Sequence, residues 1–122
     1  MKVAKYFDES EFRCKCCGGL PENGIDERLQ NVLDAIRESV GGPVSLSCAY
    51  RCPAHNAEVG GVPDSQHVQG CAADVLVPDD MTVDKLAQIA EACGAEGIGR
   101  YYDSLFVHVD TRGYAARWTD RD

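Results

Sequence analysis

Hydrophobic residues recur at helical spacing in two stretches of the chain. In the first, at about residues 26–40, apolar side chains fall three or four positions apart and form one stripe: Ile25, Leu29, Val32, Leu33, Ile36 and Val40. Asp26 is suited to cap the start of this helix, and Gly41-Gly42-Pro43 to end it. The second helix is predicted from Thr82, as N-cap, to about Cys93. Its expected buried face consists of Val83, Leu86, Ala87, Ala90 and Cys93.

Alternation and short apolar runs predict strands between and after these helices. The expected strands are residues 44–50, 72–77, 98–102 and 105–109, the last two forming a hairpin that turns at Asp103-Ser104. A helical turn near 8–12 and a short helix at 52–59 complete the elements, and the polar tail 111–122 receives none. Short strands interleaved with helices predict an α+β fold with a small, mainly antiparallel sheet packed against helices.

Length and charge narrow the possible functions. A chain of 122 residues without linker, repeat or low-complexity segment predicts one domain, residues 1–122. The formal net charge of -8 argues against a nucleic-acid partner, which requires a basic face. No apolar run is long enough for a membrane span, so no membrane insertion is expected. The lysines near the N-terminus are not followed by an apolar segment, so no secretory leader is expected either.

Seven cysteines are many for a chain of this length. The number is odd, and without a leader a full disulfide framework is not expected; the default is reduced, packed thiols. Cys14-Lys15-Cys16-Cys17 resembles part of a zinc knuckle, but no second pair stands at finger spacing. Cys48 and Cys52 could complete a four-cysteine structural site only if the fold brought them close.

Two histidines and one carboxylate stand on or beside predicted strands. His67 lies seven residues before Asp74, which opens an apolar run, and His108 lies inside a strand-like run. Any one of these residues alone is typical of an ordinary surface or core position, so the combination carries the hypothesis. Two imidazoles and a carboxylate leave a fourth zinc position for water, which is the arrangement of a catalytic zinc. Asp110 shares a strand face with His108, because side chains alternate with period two.

These residues carry a resemblance to a known family. Ser65-x-His67-x-x-Gly70-x-Ala72-x-Asp74, followed by Phe106-Val107-His108-Val109-Asp110, resembles the signature of the zinc D-alanyl-D-alanine carboxypeptidases. The wider group includes the vancomycin-resistance dipeptidases and phage L-alanyl-D-glutamate endolysins. The resemblance extends from Glu11-Phe12-x-Cys14 to Trp118.

The resemblance implies a fold, a cofactor and a set of site residues. The fold would be that of the LAS/hedgehog-like zinc peptidases, with one Zn²⁺ on His67, Asp74 and His108. Ser65 would bind the substrate beside its D-residue. Arg51 would contact the substrate too and polarise the scissile carbonyl or stabilise the oxyanion, a task that suits a permanently charged guanidinium.

One departure from the family pattern concerns the general base. Members commonly carry an acid three residues before the last zinc histidine, or a histidine two residues before it. Here those positions hold Leu105 and Phe106, which cannot accept a proton. Asp110 is the first substitute and Asp103 the second. Asp110 is equally suited to accept a hydrogen bond from a ligand imidazole.

The function expected from the resemblance is zinc-dependent hydrolysis of bacterial cell-wall peptides that contain D-amino acids. Peptidoglycan peptides would be the partners, and the missing leader fits a cytoplasmic protein or a phage-type lysin released by a partner pore. Two alternatives remain open. One is an inactive, zinc-containing peptidoglycan-binding module of the same fold, and the other is a purely structural metal held by cysteines.

Overall fold

The computed structural model describes residues 5–14, 18–21, 24–58 and 65–120. Within these ranges the chain forms a 3₁₀ turn, three α-helices and five β-strands. The turn is Glu9–Phe12, and the helices are α1 (Glu27–Val40), α2 (Pro53–Glu58) and α3 (Val83–Ala92). The strands are β1 (Leu46–Cys48), β2 (Ala72–Leu76), β3 (Gly97–Tyr101), β4 (Phe106–Asp110) and β5 (Ala116–Asp120).

The five strands form one sheet in the order β1-β2-β4-β3-β5. All neighbours are antiparallel except β3 and β5, which run parallel. The predicted α+β class, mainly antiparallel sheet and hairpin are therefore confirmed. Strand β5 is not among the predicted elements, because most of its residues are polar and its apolar alternation is limited to Ala116 and Trp118.

The hydrophobic core lies between one face of the sheet and the helices. The sheet contributes the buried residues Ala73, Val75, Ile98, Val107 and Val109. Helix α3 packs on β3 and β4, and α1 packs against α3. The predicted stripes are confirmed as buried at Leu29, Val32, Leu33 and Ile36 in α1 and at Val83, Leu86, Ala87 and Ala90 in α3. The three predicted residues at the ends of the stripes, Ile25, Val40 and Cys93, are only partly buried. Each large aliphatic side chain buried in this way stabilises the fold by about 1.5–3 kcal/mol.

The sequence marks three helix ends, at Thr82, Gly41 and Asp26. Thr82 accepts a hydrogen bond from the backbone N–H of Lys85 at 3.1 Å, so its role as N-cap is confirmed. Gly41 ends α1 in the left-handed conformation, with a φ of 78°. Asp8 caps the 3₁₀ turn. Asp26 occupies the N-cap position of α1 as expected, but its side chain makes no capping hydrogen bond and instead accepts one from the Thr111 hydroxyl.

None of the helices in the described ranges has both the length and the apolar character that a membrane span requires.

Candidate metal centre

One row of residues crosses the sheet on the face away from the helices. Cys48 pairs with Asp74, Asp74 with His108, His108 with Gly99, and Gly99 with Trp118. Residues that are directly paired across strands lie on the same face of a sheet. Cys48, Asp74 and His108, which are of residue types that bind metals, therefore lie side by side on β1, β2 and β4. The Trp118 side chain lies over Gly99, which has no side chain of its own. The Trp118 and His108 rings lie 5.0 Å apart, centroid to centroid.

His67 reaches this row from the turn at residues 66–70. Gly70 closes the turn with a φ of 76°, and a Cβ there would lie 2.7 Å from the Pro21 ring, so the position requires glycine. His67 is buried and brings its Nε2 to 3.3 Å from Asp74 Oδ1. His108 Nδ1 lies 3.2 Å from the same oxygen. The three residues that the sequence singles out as metal ligands are thus brought together around one carboxylate oxygen.

The opposite nitrogen of each imidazole is held by a second partner. His67 Nδ1 lies 2.6 Å from the Ala49 carbonyl oxygen, and His108 Nε2 lies 2.7 Å from Asp110 Oδ2. A carbonyl oxygen can only accept, so His67 carries its proton on Nδ1 and its Nε2 is left for a metal. Histidine ligands of metals are typically oriented in this way. Two nitrogens and one carboxylate oxygen fit the donor preferences of Zn²⁺.

The charges around the site favour a cation. Burial opposes protonation of His67, but the Asp74 carboxylate and the Cys48 thiol raise its pKa above the usual value. Burial likewise opposes protonation of His108, and Asp110 and Asp74 raise its pKa. Burial would raise the pKa of Asp74, yet hydrogen bonds with the two imidazoles lower it to about 2. The cluster therefore stabilises positive charge next to Asp74, which a proton or a metal ion can supply.

Asp110 lies behind His108 and not in the space beside Asp74. It is fully buried, and its two oxygens accept hydrogen bonds from His108 Nε2 at 2.7 Å and from Arg112 Nε and Nη2 at 2.9 and 2.7 Å. Burial would raise the pKa of Asp110, but His108 and Arg112 hold it well below its usual range. This placement matches the support role that the sequence leaves open beside the role of base. Asp103, the second candidate, lies exposed in the hairpin turn.

Arg51 and Ser65 line the same cleft as the three candidate ligands, and the cleft has a volume of about 550 Å³. Arg51 Nη2 donates to Ser65 Oγ at 3.1 Å. In the described part of the chain, Arg51 Nε is buried and has no hydrogen-bond partner. A buried donor without a partner is costly, so the rest of the fold must offset this position of the guanidinium. The two predicted substrate-binding residues are thus next to each other and beside the candidate ligands.

Four aromatic residues also line the cleft, and the sequence pattern does not predict them as site residues. They are Tyr101, Phe106, Tyr114 and Trp118. Tyr101 and Phe106 stack with centroids 4.3 Å apart, and Trp118 Nε1 donates to the Tyr101 hydroxyl at 3.0 Å. The alternation of Ala116 and Trp118 in the tail is the one signal that could have indicated a strand there.

Among the described cysteines, Cys48 lies next to the candidate metal ligands, and Cys14 and Cys52 lie elsewhere in the fold. Ligand atoms of Cys48, His67 and Asp74 all lie within 4.8 Å of one another. Cys14 Sγ accepts a hydrogen bond from the Cys52 backbone N–H at 3.3 Å. The five described cysteines form no disulfide. Cys16 and Cys17 lie outside the described residues, so a structural metal at the knuckle-like segment stays a prediction.

The two candidate ligand groups share His67 and Asp74 and differ in the third residue. One has His108, which touches Asp74 directly, and the other has Cys48. We give priority to His108 because its ring is held from behind by Asp110, as a ligand imidazole is.

Gly97→Ala is expected to disturb the candidate metal centre by displacing Asp110, which lies behind His108. Gly97 pairs with Asp110 across β3 and β4, and a Cβ at residue 97 would lie 2.2 Å from Asp110 Oδ2. Such overpacking typically costs about 1–3 kcal/mol in the free energy of unfolding. We also expect weaker zinc binding, since Asp110 would move away from His108. Denaturant unfolding and a zinc competition titration measure the two effects.

Gly42→Ala is the matched control for this substitution, because a Cβ at Gly42 meets nothing within 4 Å. Equal zinc affinity in the Gly97→Ala and Gly42→Ala proteins would contradict the proposed link between residue 97 and the metal centre.

Comparison with known proteins agrees with this geometry. A family model described as Peptidase M15 matches residues 5–110. A comparison with curated protein sequences gives no match. Peptidase M15 comprises zinc-dependent metallopeptidases of the D-Ala-D-Ala carboxypeptidase type, so the resemblance noted in the sequence is confirmed. The match covers most of the chain, including all three candidate metal ligands, and the chain therefore belongs to the Peptidase M15 family.

Proposed function

We propose that this protein hydrolyses peptide bonds in bacterial cell-wall peptides that contain D-amino acids, with one Zn²⁺ on His67, Asp74 and His108. The observation that carries the proposal is the convergence of these three side chains on one carboxylate oxygen beside a cleft. Zinc at such a site lowers the pKa of a bound water to about 7 and polarises a carbonyl. Peptidoglycan peptides are accordingly the proposed partners.

Arg51 and Ser65 are proposed to bind the reacting part of the substrate. The guanidinium keeps its charge at all working pH values and offers several donors in a fixed plane. Ser65 accepts from Nη2 at 3.1 Å and holds the guanidinium in place where Arg51 lines the cleft. This arrangement suits stabilisation of the negative charge that develops on the carbonyl oxygen during hydrolysis.

Asp110 is proposed to orient His108. Both of its oxygens are engaged by His108 and Arg112, so neither is placed to accept a proton from a water in the cleft. Its charge instead stabilises the proton on His108 Nε2 and so leaves Nδ1 for the metal. We therefore favour this role over that of general base.

Arg51→Lys is expected to reduce kcat/KM by about 10²–10³-fold, the usual effect of removing one donor from an oxyanion site. A lysine keeps the charge but cannot offer the planar pair of donors that faces Ser65 and the cleft. Zinc content should stay unchanged, because Arg51 is not a ligand. Arg37→Lys on helix α1 is the control. A drop in zinc content that accounts for the whole loss would contradict the role proposed for Arg51.

Digestion of purified peptidoglycan tests the proposed function. Zinc-loaded protein should release D-alanine or new peptide ends, identified by mass, and the identified ends name the bond that is cut. A chelator should stop the release and added zinc should restore it. Release that is indifferent to chelation, or no release at full zinc loading, would overturn the proposal.

One observation favours a second candidate, a zinc-containing module that binds cell-wall peptides without cutting them. Among the described residues that line the cleft, Asp74 is the sole carboxylate, and it is a proposed ligand. A protein of this kind would sediment with peptidoglycan in a zinc-dependent manner and leave its mass profile unchanged. The digestion experiment separates the two candidates, because both require zinc but only one forms products.

A further inference from the structure

Cys48 stands at the edge of the proposed zinc site, on the opposite side of Asp74 from His108. We propose that its thiolate is a fourth protein ligand of the metal, together with His67, Asp74 and His108. The inference rests on the proposed metal site and extends it, since the expected ligand set contains no sulfur. Its basis is the placement of Cys48 in the sheet.

The register of β1 places the thiol on the correct face. Cys48 pairs with Asp74, and the pairing shifts by one residue between Leu46 and Cys48. An irregularity of this kind changes the direction in which a side chain points. Paired residues of an antiparallel sheet have Cβ atoms about 4.5–5.5 Å apart on the same face. Cys48 is therefore the neighbour of Asp74 on β1, just as His108 is its neighbour on β4.

The donor atoms of these residues lie near one another. Ligand atoms of Cys48, His67 and Asp74 lie within 4.8 Å of one another. The Cys48 thiol now lies 3.8 Å from His67 Nδ1, so it must turn from that nitrogen toward Nε2 to share an ion with it. Zinc binds sulfur at about 2.3 Å and nitrogen or oxygen at about 2.0–2.2 Å, so donors that share one ion must lie closer together than the 4.8 Å that encloses Cys48, His67 and Asp74. Cysteine can make this adjustment by rotation about its single χ1 torsion.

The chemistry of the thiol suits this position. A thiol that coordinates a metal loses its proton, which passes to solvent as the sulfur–metal bond forms. Thiolate is a soft ligand that favours Zn²⁺ over Mg²⁺ or Ca²⁺. With Cys48 bound, four protein ligands fill a tetrahedral zinc, so the thiolate competes with water for the position that catalysis needs. The metal centre would then have a closed, sulfur-bound form and an open, water-bound form.

Cobalt substitution tests this ligand assignment without measuring activity. Metal-free protein is titrated with Co²⁺, and the near-ultraviolet sulfur-to-cobalt charge-transfer band is followed together with the visible bands of the bound ion. The wild-type protein should bind Co²⁺ and show the sulfur band. Cys48→Ser should still bind Co²⁺ but lose the sulfur band, with affinity reduced at least about tenfold, as for loss of a group that supports a metal site.

Two variants locate the source of the sulfur signal. His67→Ala should lose the band as well, because the thiol and the imidazole share one ion. Cys93→Ser, at the end of α3, should retain it. A sulfur band that persists in Cys48→Ser, or is missing from the wild-type protein with or without bound Co²⁺, would overturn the assignment.

Alkylation of the wild-type protein gives a second measurement that does not depend on any variant folding. Cys48 should react with iodoacetamide in chelator and be protected by Zn²⁺, as determined by peptide mass spectrometry. Equal reactivity in both conditions would contradict metal ligation by Cys48. If the sulfur band is present but peptidoglycan stays intact, the ligand assignment holds and the proposed hydrolysis fails.

Discussion

His67→Ala should remove zinc binding and peptide hydrolysis together. His67 supplies one of three proposed ligands, and its Nε2 lies 3.3 Å from Asp74 Oδ1. Zinc contributes several kcal/mol to stabilising the transition state of hydrolysis, and each 1.36 kcal/mol, roughly, is a factor of ten in rate. We therefore expect kcat/KM to fall by at least about 10³-fold. Metal analysis after dialysis and peptidoglycan digestion provide the two readouts.

Gln69→Ala serves as the control for this variant, because Gln69 lies in the same turn and its side chain is exposed. The far-ultraviolet circular dichroism of both variants should match that of the wild-type protein, which establishes that the fold is retained. Full activity or undiminished zinc content in folded His67→Ala protein would contradict the assignment of His67 as a ligand. The knuckle-like cysteine segment would then be the next place to look.

The sequence predicts the helices well because burial of one face gives each helix a regular apolar pattern within a short stretch of the chain. In α1 and α3 the apolar residues recur at the helical period, and those residues are the buried ones. The hairpin of β3 and β4 is predicted for the same reason, since Ile98, Val107 and Val109 alternate with residues of the other face. Its turn also places His108 opposite Gly99, which gives Trp118 room over the metal centre.

The sequence does not predict features that depend on contacts distant in the chain. Strand β5 is held by pairing with β3, and its own residues carry little apolar signal. Asp26 has the position and chemistry of an N-cap, but Thr111 lies next to it in the fold and donates to it instead. Cys48 lies opposite Asp74 through a register shift that no local pattern encodes.

The sequence predicts only part of the candidate site, because the role of some residues depends on contacts formed in the fold. The spacing of His67, Asp74 and His108 is visible in the chain, but the role of Asp110 depends on which way its neighbours approach. Arg112, two residues further on, contacts the Asp110 carboxylate through its own backbone N–H and its guanidinium. Its ring contacts with Trp118 and Tyr114 fix the guanidinium in turn. That arrangement is the basis for proposing that Asp110 supports His108 and does not act as the general base.

Asp110→Asn should weaken zinc binding by about 10–100-fold, the usual effect of removing the partner of a ligand imidazole. The amide oxygen can accept from His108 in place of Oδ2, but the NH₂ group then replaces Oδ1 and faces Arg112 Nε, which lies 2.9 Å from Oδ1. Arg112 is largely buried, so loss of its counter-charge should also lower the free energy of unfolding by about 3 kcal/mol. Zinc competition and denaturant titrations measure these changes, with Asp84→Asn on the surface of α3 as control.

The same variant decides between the two roles of Asp110 when hydrolysis is measured at saturating zinc. If Asp110 orients His108, excess zinc fills the weakened site and most of kcat returns. If Asp110 is the general base, zinc affinity is nearly unchanged and kcat stays about 10²–10⁴-fold low at any zinc concentration. Since both Asp110 oxygens already accept hydrogen bonds from His108 and Arg112, we expect the first result, and the second would show that this carboxylate is released from them during the reaction.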